Sequence, residues 1–218
     1  MKTNACLAAF GLILAACSQF GSFSGDVIVQ TPPGETNPGA HISVTVIHST
    51  ETFTHDWATA LSAYQTEVEP ARKAQQAAAA NLEEARLEWD QALAARHTSG
   101  VSRRFRGTLA SARVRQLWEQ LRAAEHVLFK AERHVWEVAR RHDGQADSLI
   151  ANHALQRVQT DGNGHYVLAG LPTGKNFLYA RALVRDQMLV WFLPVLVRSG
   201  TQRLDLTEAN RGVWPFTP

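Results

Sequence analysis

The chain has 218 residues, 45% of them hydrophobic, and its 22 Lys and Arg against 20 Asp and Glu leave a net charge of +2 at neutral pH. Basic and acidic residues are interspersed, so there is no electrostatic case for a nucleic-acid partner, and the pattern is that of a solvated helix surface. The length fits one domain with a large insertion or two small domains.

The first residues, MKTNACLAAFGLILAACSQ, hold one basic residue, Lys2, and an apolar run from about Ala5 to Ala16 that is too short to span a bilayer of ~30 Å. Residues 1–16 are therefore expected to be a signal peptide. Leu14-Ala15-Ala16-Cys17 resembles the lipobox of bacterial lipoproteins, in which the Cys is acylated and becomes the new N-terminus. Cleavage there removes Cys6, and lipidation accounts for the thiol of Cys17 that would otherwise be left unpaired. Ser18, rather than Asp, follows the Cys, which by the same resemblance implies sorting to the outer membrane. Residues 17–25, ending in FGSFSG, read as a flexible tether.

Residues 26–31 (DVIVQT) predict a strand and 32–39 (PPGETNPG) a loop. Ile42, Val44 and Val46 then alternate with Ser43 and Thr45, the period of a strand with one buried face, so 26–53 form the first part of a β domain. From 54 to 153 the pattern is helical, broken by HTSGVSRRFRG. One seam of the first helix carries Trp57, Leu61, Tyr64, Val68, Ala71, Gln75, Ala78, Leu82, Ala85 and Trp89. The second carries Val114, Leu117, Leu121, Ala124, Leu128, Ala131, Val135, Val138 and His142. An antiparallel hairpin with partner numbers summing to about 206 sets Leu82 against Ala124, Ala85 against Leu121 and Tyr64 against His142. Large mostly faces small, which predicts close approach of the two backbones. Pro70 lies off the seam and predicts a local kink with the heptad continuing across it.

Strands return over 154–210, and 211–218 form an unassigned tail. Thr160-Asp161-Gly162-Asn163-Gly164 packs turn formers between apolar runs, Tyr166 and Leu168 alternate with polar or small neighbours, and Leu171-Pro172-Thr173-Gly174 turns the chain again before a strand reaching Ala180. These residues resemble the carboxypeptidase regulatory-like domain, a transthyretin-like fold. The resemblance implies an antiparallel β-sandwich of about seven strands and transfers no catalytic residue. The expected class is thus α+β: a sandwich with a long antiparallel helical hairpin inserted between its early and late strands. Pro194 inside MLVWFLPVLV places that run at a sheet edge or bulge.

Candidate chemistry is sparse. His126, His134 and His142 recur every eighth residue and so spiral around the helix instead of sharing a face; no metal site and no cofactor is expected. Asp161 begins a stretch like a calcium loop, but the twelfth place holds Pro172 where an EF-hand needs Glu. No nucleophile elbow or isolated carboxylate pair is present, and an enzyme is not expected; the nearest thing to a site is His142 beside Tyr64. Trp118, Phe129 and Trp136 share one side of the second helix just beside the seam. The favoured reading is that they pack within the protein, and the competing one is that they form a partner surface. The expectation is a non-catalytic envelope lipoprotein, anchored to the membrane through Cys17, with a structural or protein-binding role toward an envelope protein. The alternatives are an adaptor-like periplasmic component of a transport system and a carbohydrate-binding module.

Overall fold

The computed structural model describes residues 20–31, 35–98, 106–184 and 187–218, without the side chains of 31, 96–98 and 106–111. The segment 1–16 expected to be a signal peptide, and Cys17, lie outside these residues. The chain divides into two compact units. A β unit comprises the chain up to Asp56 together with Ser148–Pro215; a helical unit comprises Trp57–Asp147 and Phe216–Pro218. The class is α+β, with two helices and strands in several sheets, none of which closes into a barrel among the described residues.

Four strands precede the helices: β1 (Phe20–Asp26), β2 (Ile28–Thr31), β3 (Glu35–Pro38) and β4 (Ser43–His48). Five follow them: β5 (Ala154–Gln159), β6 (His165–Pro172), β7 (Gly174–Val184), β8 (Gln187–Val197) and β9 (Gly200–Arg203). The sheets run β6-β1-β9, β2-β3 and β5-β4-β7-β8. One hydrophobic core draws from both larger sheets: Phe23 from β1, Tyr166 and Leu168 from β6, Val44 and Val46 from β4, Leu178 and Ala180 from β7, and Trp191 from β8. Alternation along each strand is what aims these side chains to one side. β8 is an edge strand, so Pro194, opposite Phe177, removes no donor that an outer neighbour needs.

Three expectations fail here. The supposed tether is strand from Phe20 onward, antiparallel to β6 and parallel to β9. Its buried positions are Gly21, Phe23 and Gly25, and the glycines are there because Arg198 and Leu204 bring their carbonyl oxygens to where a Cβ would stand. The supposed loop over 32–39 contains β3, which pairs with β2 as a hairpin and is exposed throughout, so its polar composition concealed a strand that has no core to face. β4 is buried on both faces, not one: Val44 and Val46 enter the core while Thr45 and Ile47 are covered on the other side. On that side Phe53, from the first turns of the following helix, lies 5.5 Å from Phe177 and 5.4 Å from His153, ring centroid to ring centroid. Thr50 starts this helix, its hydroxyl accepting the Phe53 N–H at 3.0 Å in the manner of an N-cap.

The helical unit is built on α1 (Glu51–Thr98) and α2 (Arg106–Asn152). None of the described helices is long and apolar enough to cross a membrane. Tyr64 meets His142 with ring centroids 5.5 Å apart, and Trp89 meets Trp118 at the same distance, so the pair is antiparallel in the register expected. Val68, Ala71 and Ala78 on α1 and Leu117, Leu121, Val135 and Val138 on α2 are buried along this seam. α1 runs through Pro70 without a break; the residue is exposed, where its missing N–H faces solvent. The expected close approach is not found, since the two backbones do not run within 8 Å of each other over any length. Leu121 is 6% exposed whereas Leu82 is only half-buried. Leu121→Ala should therefore cost ~2–5 kcal/mol in urea unfolding followed by helical circular dichroism, and Leu82→Ala distinctly less. Equal costs at the two positions would mean that the seam is closed along its whole length.

Candidate functional site

The side of α2 that carries Trp118, Phe129 and Trp136 holds three of the exposed large hydrophobic residues described in the helical unit. Trp118 is 43% exposed and leans on Trp89, so it does part of what packing across the helical pair requires. Phe129 is 60% exposed and Trp136 64%. The favoured expectation, packing within the protein, fails for these two. At ~100° per residue they lie roughly 120° around α2 from the centre of the buried seam, and a two-helix seam covers only the side chains that point into it. Phe129 and Trp136, with Gln75, Glu132 and Arg133, line an open concavity. Arg133 pairs with Glu137 at 2.8 Å, but both are well exposed and an ion pair of that kind contributes little stability. The surface is thus an aromatic pair flanked by charges of both signs.

The other place singled out in the sequence is His142 and Tyr64, and these do meet. His142 is buried, and neither of its ring nitrogens makes a hydrogen bond. Nε2 lies 3.3 Å from Glu67 Oε2, close enough for an ion pair but without hydrogen-bond alignment, and Arg141 holds the same carboxylate oxygen. The Tyr64 hydroxyl donates to the carbonyl of Thr217, which also accepts from Arg72 Nη2 at 2.9 Å. Burial pushes the Tyr64 phenol above its ordinary range, against the opposing pull of the Arg72 charge. Phe216, which the sequence left unassigned, is buried here with its ring 5.5 Å from Trp57 and 5.3 Å from Tyr64. The phenol proton is committed to a main-chain carbonyl, and the arrangement braces one end of the helical unit.

In the β unit the Thr160 to Gly164 segment is a built turn. The Asp161 carboxylate accepts the N–H groups of Asn163 at 2.8 Å and His165 at 2.9 Å, and these bonds hold its carboxyl below the usual carboxylate range. Gly164 has φ 81°, which a side chain would resist. The buried Thr160 hydroxyl accepts from the N–H of Ile42 and donates to the carbonyl of Gly39. At the next turn, Asn176 donates to the carbonyl of Gly174 at 3.1 Å and shares a hydrogen bond with His48. Both turns are thus tied to strands from before the helices.

An ionic cluster went unseen in the sequence because its members are about 140 to 180 positions apart. Asp26 holds His165 at 2.8 Å and Arg203 at 2.7 Å, while Asp205 accepts the backbone N–H of Asp26 at 3.0 Å. Hydrogen bonding and charge from Asp205, with help from Asp26, raise the Arg203 guanidinium further. Partial burial works against the Asp205 carboxylate, but the Asp26 N–H and Arg203 outweigh it and bring its pKa down. Burial above all, then the two carboxylates, push Tyr166 well up, and its hydroxyl donates to Leu204 O at 2.5 Å. These contacts join β1, β6 and the chain after β9. Among the described residues no group of three or more His, Cys, Asp or Glu is placed to hold a metal ion.

No protein-family model matches this chain, and no curated protein matches it. Among solved structures it is similar to the crystal structure of a proposed carbohydrate binding protein from Pseudomonas aeruginosa. The match has 13% identity and a TM-score of 0.35, and covers 88% of this chain and 90% of that one. Similarity at this level carries no argument about ligand or fold.

Proposed function

We propose that this chain is a non-catalytic envelope lipoprotein in which a lipid on Cys17 holds a transthyretin-like sandwich at the outer membrane and the helical hairpin presents a protein-binding surface. The observation that carries the reading is the exposure of Phe129 and Trp136 side by side on α2. Large aromatic side chains left in water add nothing to folding, whereas at interfaces they supply much contact area at low entropic cost. The apolar run ending in Leu14-Ala15-Ala16-Cys17 supports the anchor, and several acyl chains hold a protein stably where one binds reversibly. The two turns tied back to the early strands support the sandwich.

Cys17→Ala should move the protein from the membrane fraction to the soluble one and abolish metabolic labelling by fatty acid. Labelling that persists in this variant would overturn the anchor. The protein-binding role is tested by placing a photocrosslinker at position 136, which should trap a protein adduct in cells, while the same group at the exposed position 83 on α1 should not.

A further inference from the structure

β1 is held on both sides from its first residues: Phe20 lies opposite Pro172 of β6, and Gly21 lies between Leu171 of β6 and Gly200 of β9. Two turns therefore border the start of this strand. Pro172-Thr173-Gly174 joins β6 to β7, and Arg198-Ser199-Gly200 joins β8 to β9. Gly174 pairs with Val197, and the carbonyl oxygen of Arg198 stands where a Cβ on Gly21 would be, so both turns sit at one end of the β unit. The turn at Gly162 is at the other end, just before His165, which pairs with Asp26. The eight residues of β6, at ~3.3 Å for each step, set the two ends ~23 Å apart. Cys17 precedes Phe20 by three positions, and three residues of chain span at most ~11 Å.

We infer that this end of the β unit rests on the lipid headgroups around the Cys17 anchor, with Lys175 and Arg198 against their phosphates. The inference rests on the lipid-anchor reading and adds the depth and orientation of the unit that the anchor holds. Because β1 is already paired at Phe20, at most ~11 Å of chain lies between the acylated residue and the sheet, comparable with the ~5–8 Å headgroup layer outside the hydrocarbon core on each side. Residues 172–175 and 198–201 read PTGK and RSGT, with Lys175 and Arg198 exposed and no acid in either stretch. Phe20 and Leu196, which is opposite Lys175, are exposed apolar side chains at the same end. Asp26, Asp161 and Asp205 gather at the other end, around His165. Phosphates attract cations held within a Debye length, and this orientation keeps those three carboxylates farthest from them.

The test uses the full lipidated chain in vesicles of phosphatidylethanolamine and phosphatidylglycerol, with a nitroxide on a fraction of the headgroups. Cleavage removes Cys6 and amide or thioether acylation blocks Cys17, so Thr173→Cys, Ser199→Cys and Gly162→Cys each offer a single thiol for a fluorophore. Probes at positions 173 and 199 should lose most of their emission to the nitroxide, and the probe at position 162 should keep it. Lys175→Glu/Arg198→Glu should relieve the quenching at 173 and 199 while the lipid still holds the protein in the vesicles. Equal quenching at all three positions, quenching at none of them, or quenching that the double reversal leaves unchanged would each overturn the inference. A chain that carries fatty acid on Cys17 and gives one of those results keeps the anchor and loses only the docking. A chain without fatty acid on Cys17 loses both.

Discussion

Trp191→Ala should destabilise the β unit by ~3–5 kcal/mol, measured as a shift in the urea midpoint at unchanged slope. Trp191 is fully buried and points into the core from the edge strand β8, directly opposite Ala180. A cavity left there has a methyl group as its cross-strand neighbour, so little can move in to fill it. The indole also does polar work, its Nε1 donating to the carbonyl of Thr207 at 2.8 Å. That bond secures the segment in which Leu206 is buried and bridges to Val27. Trp191→Phe separates the two effects: it keeps most of the apolar contact, strands the Thr207 carbonyl, and should cost ~1–3 kcal/mol. A loss below ~1 kcal/mol in Trp191→Ala would mean that the core is not closed around this residue.

A substitution of one methyl group, Gly25→Ala, should approach that loss. The added Cβ would stand 1.9 Å from the carbonyl oxygen of Leu204 and 2.6 Å from its carbon, and these are backbone atoms that no rotamer change can clear. Overpacking a well-filled site costs ~1–3 kcal/mol and occasionally more, and a clash with main chain belongs at the upper end. The same carbonyl accepts the Tyr166 hydroxyl, so displacing it also strains the tie between β6 and the chain after β9. Were residues 17–25 a flexible tether throughout, Gly25→Ala would be neutral or stabilising by ~0.4–1 kcal/mol, because it reduces the freedom of the unfolded chain. Gly162→Ala is the control: nothing lies within 4 Å of the place its methyl group would take, and it should change stability little. Unaltered unfolding in Gly25→Ala would remove β1 from the sheet.

The contrast between β1 and the helices shows what kind of information a single chain displays. The α1/α2 register was legible because a heptad repeats the same local instruction many times, and Tyr64 against His142 follows from counting. The turn at Asp161 was legible because its carboxylate bonds backbone groups two and four residues on. FGSFSG was not, because its glycines are demanded by the carbonyls of Arg198 and Leu204, far along the chain, and small residues read locally as a linker. Trp214 and Phe216 were unassigned for the same reason. Trp214 packs on Tyr179 and beneath the Arg181 guanidinium, and Phe216 on Trp57 and Tyr64, none of which is near in sequence. At Phe129 and Trp136 the helical spacing correctly placed both rings on one side. Spacing alone does not say whether a neighbouring element covers that side, and here none does to the extent expected.

The most direct measurement pairs stability with crosslinking in Trp136→Ala. With 64% of the indole in water, truncation should leave the unfolding midpoint within the ~0.5 kcal/mol typical of surface substitutions. In the same variant the protein adduct trapped by a photocrosslinker at position 129 should disappear. A loss of ~3 kcal/mol or more would show a ring that serves folding, and an adduct that persists undiminished would show a ring that serves no partner; either contradicts a hairpin whose exposed aromatic pair is its binding surface.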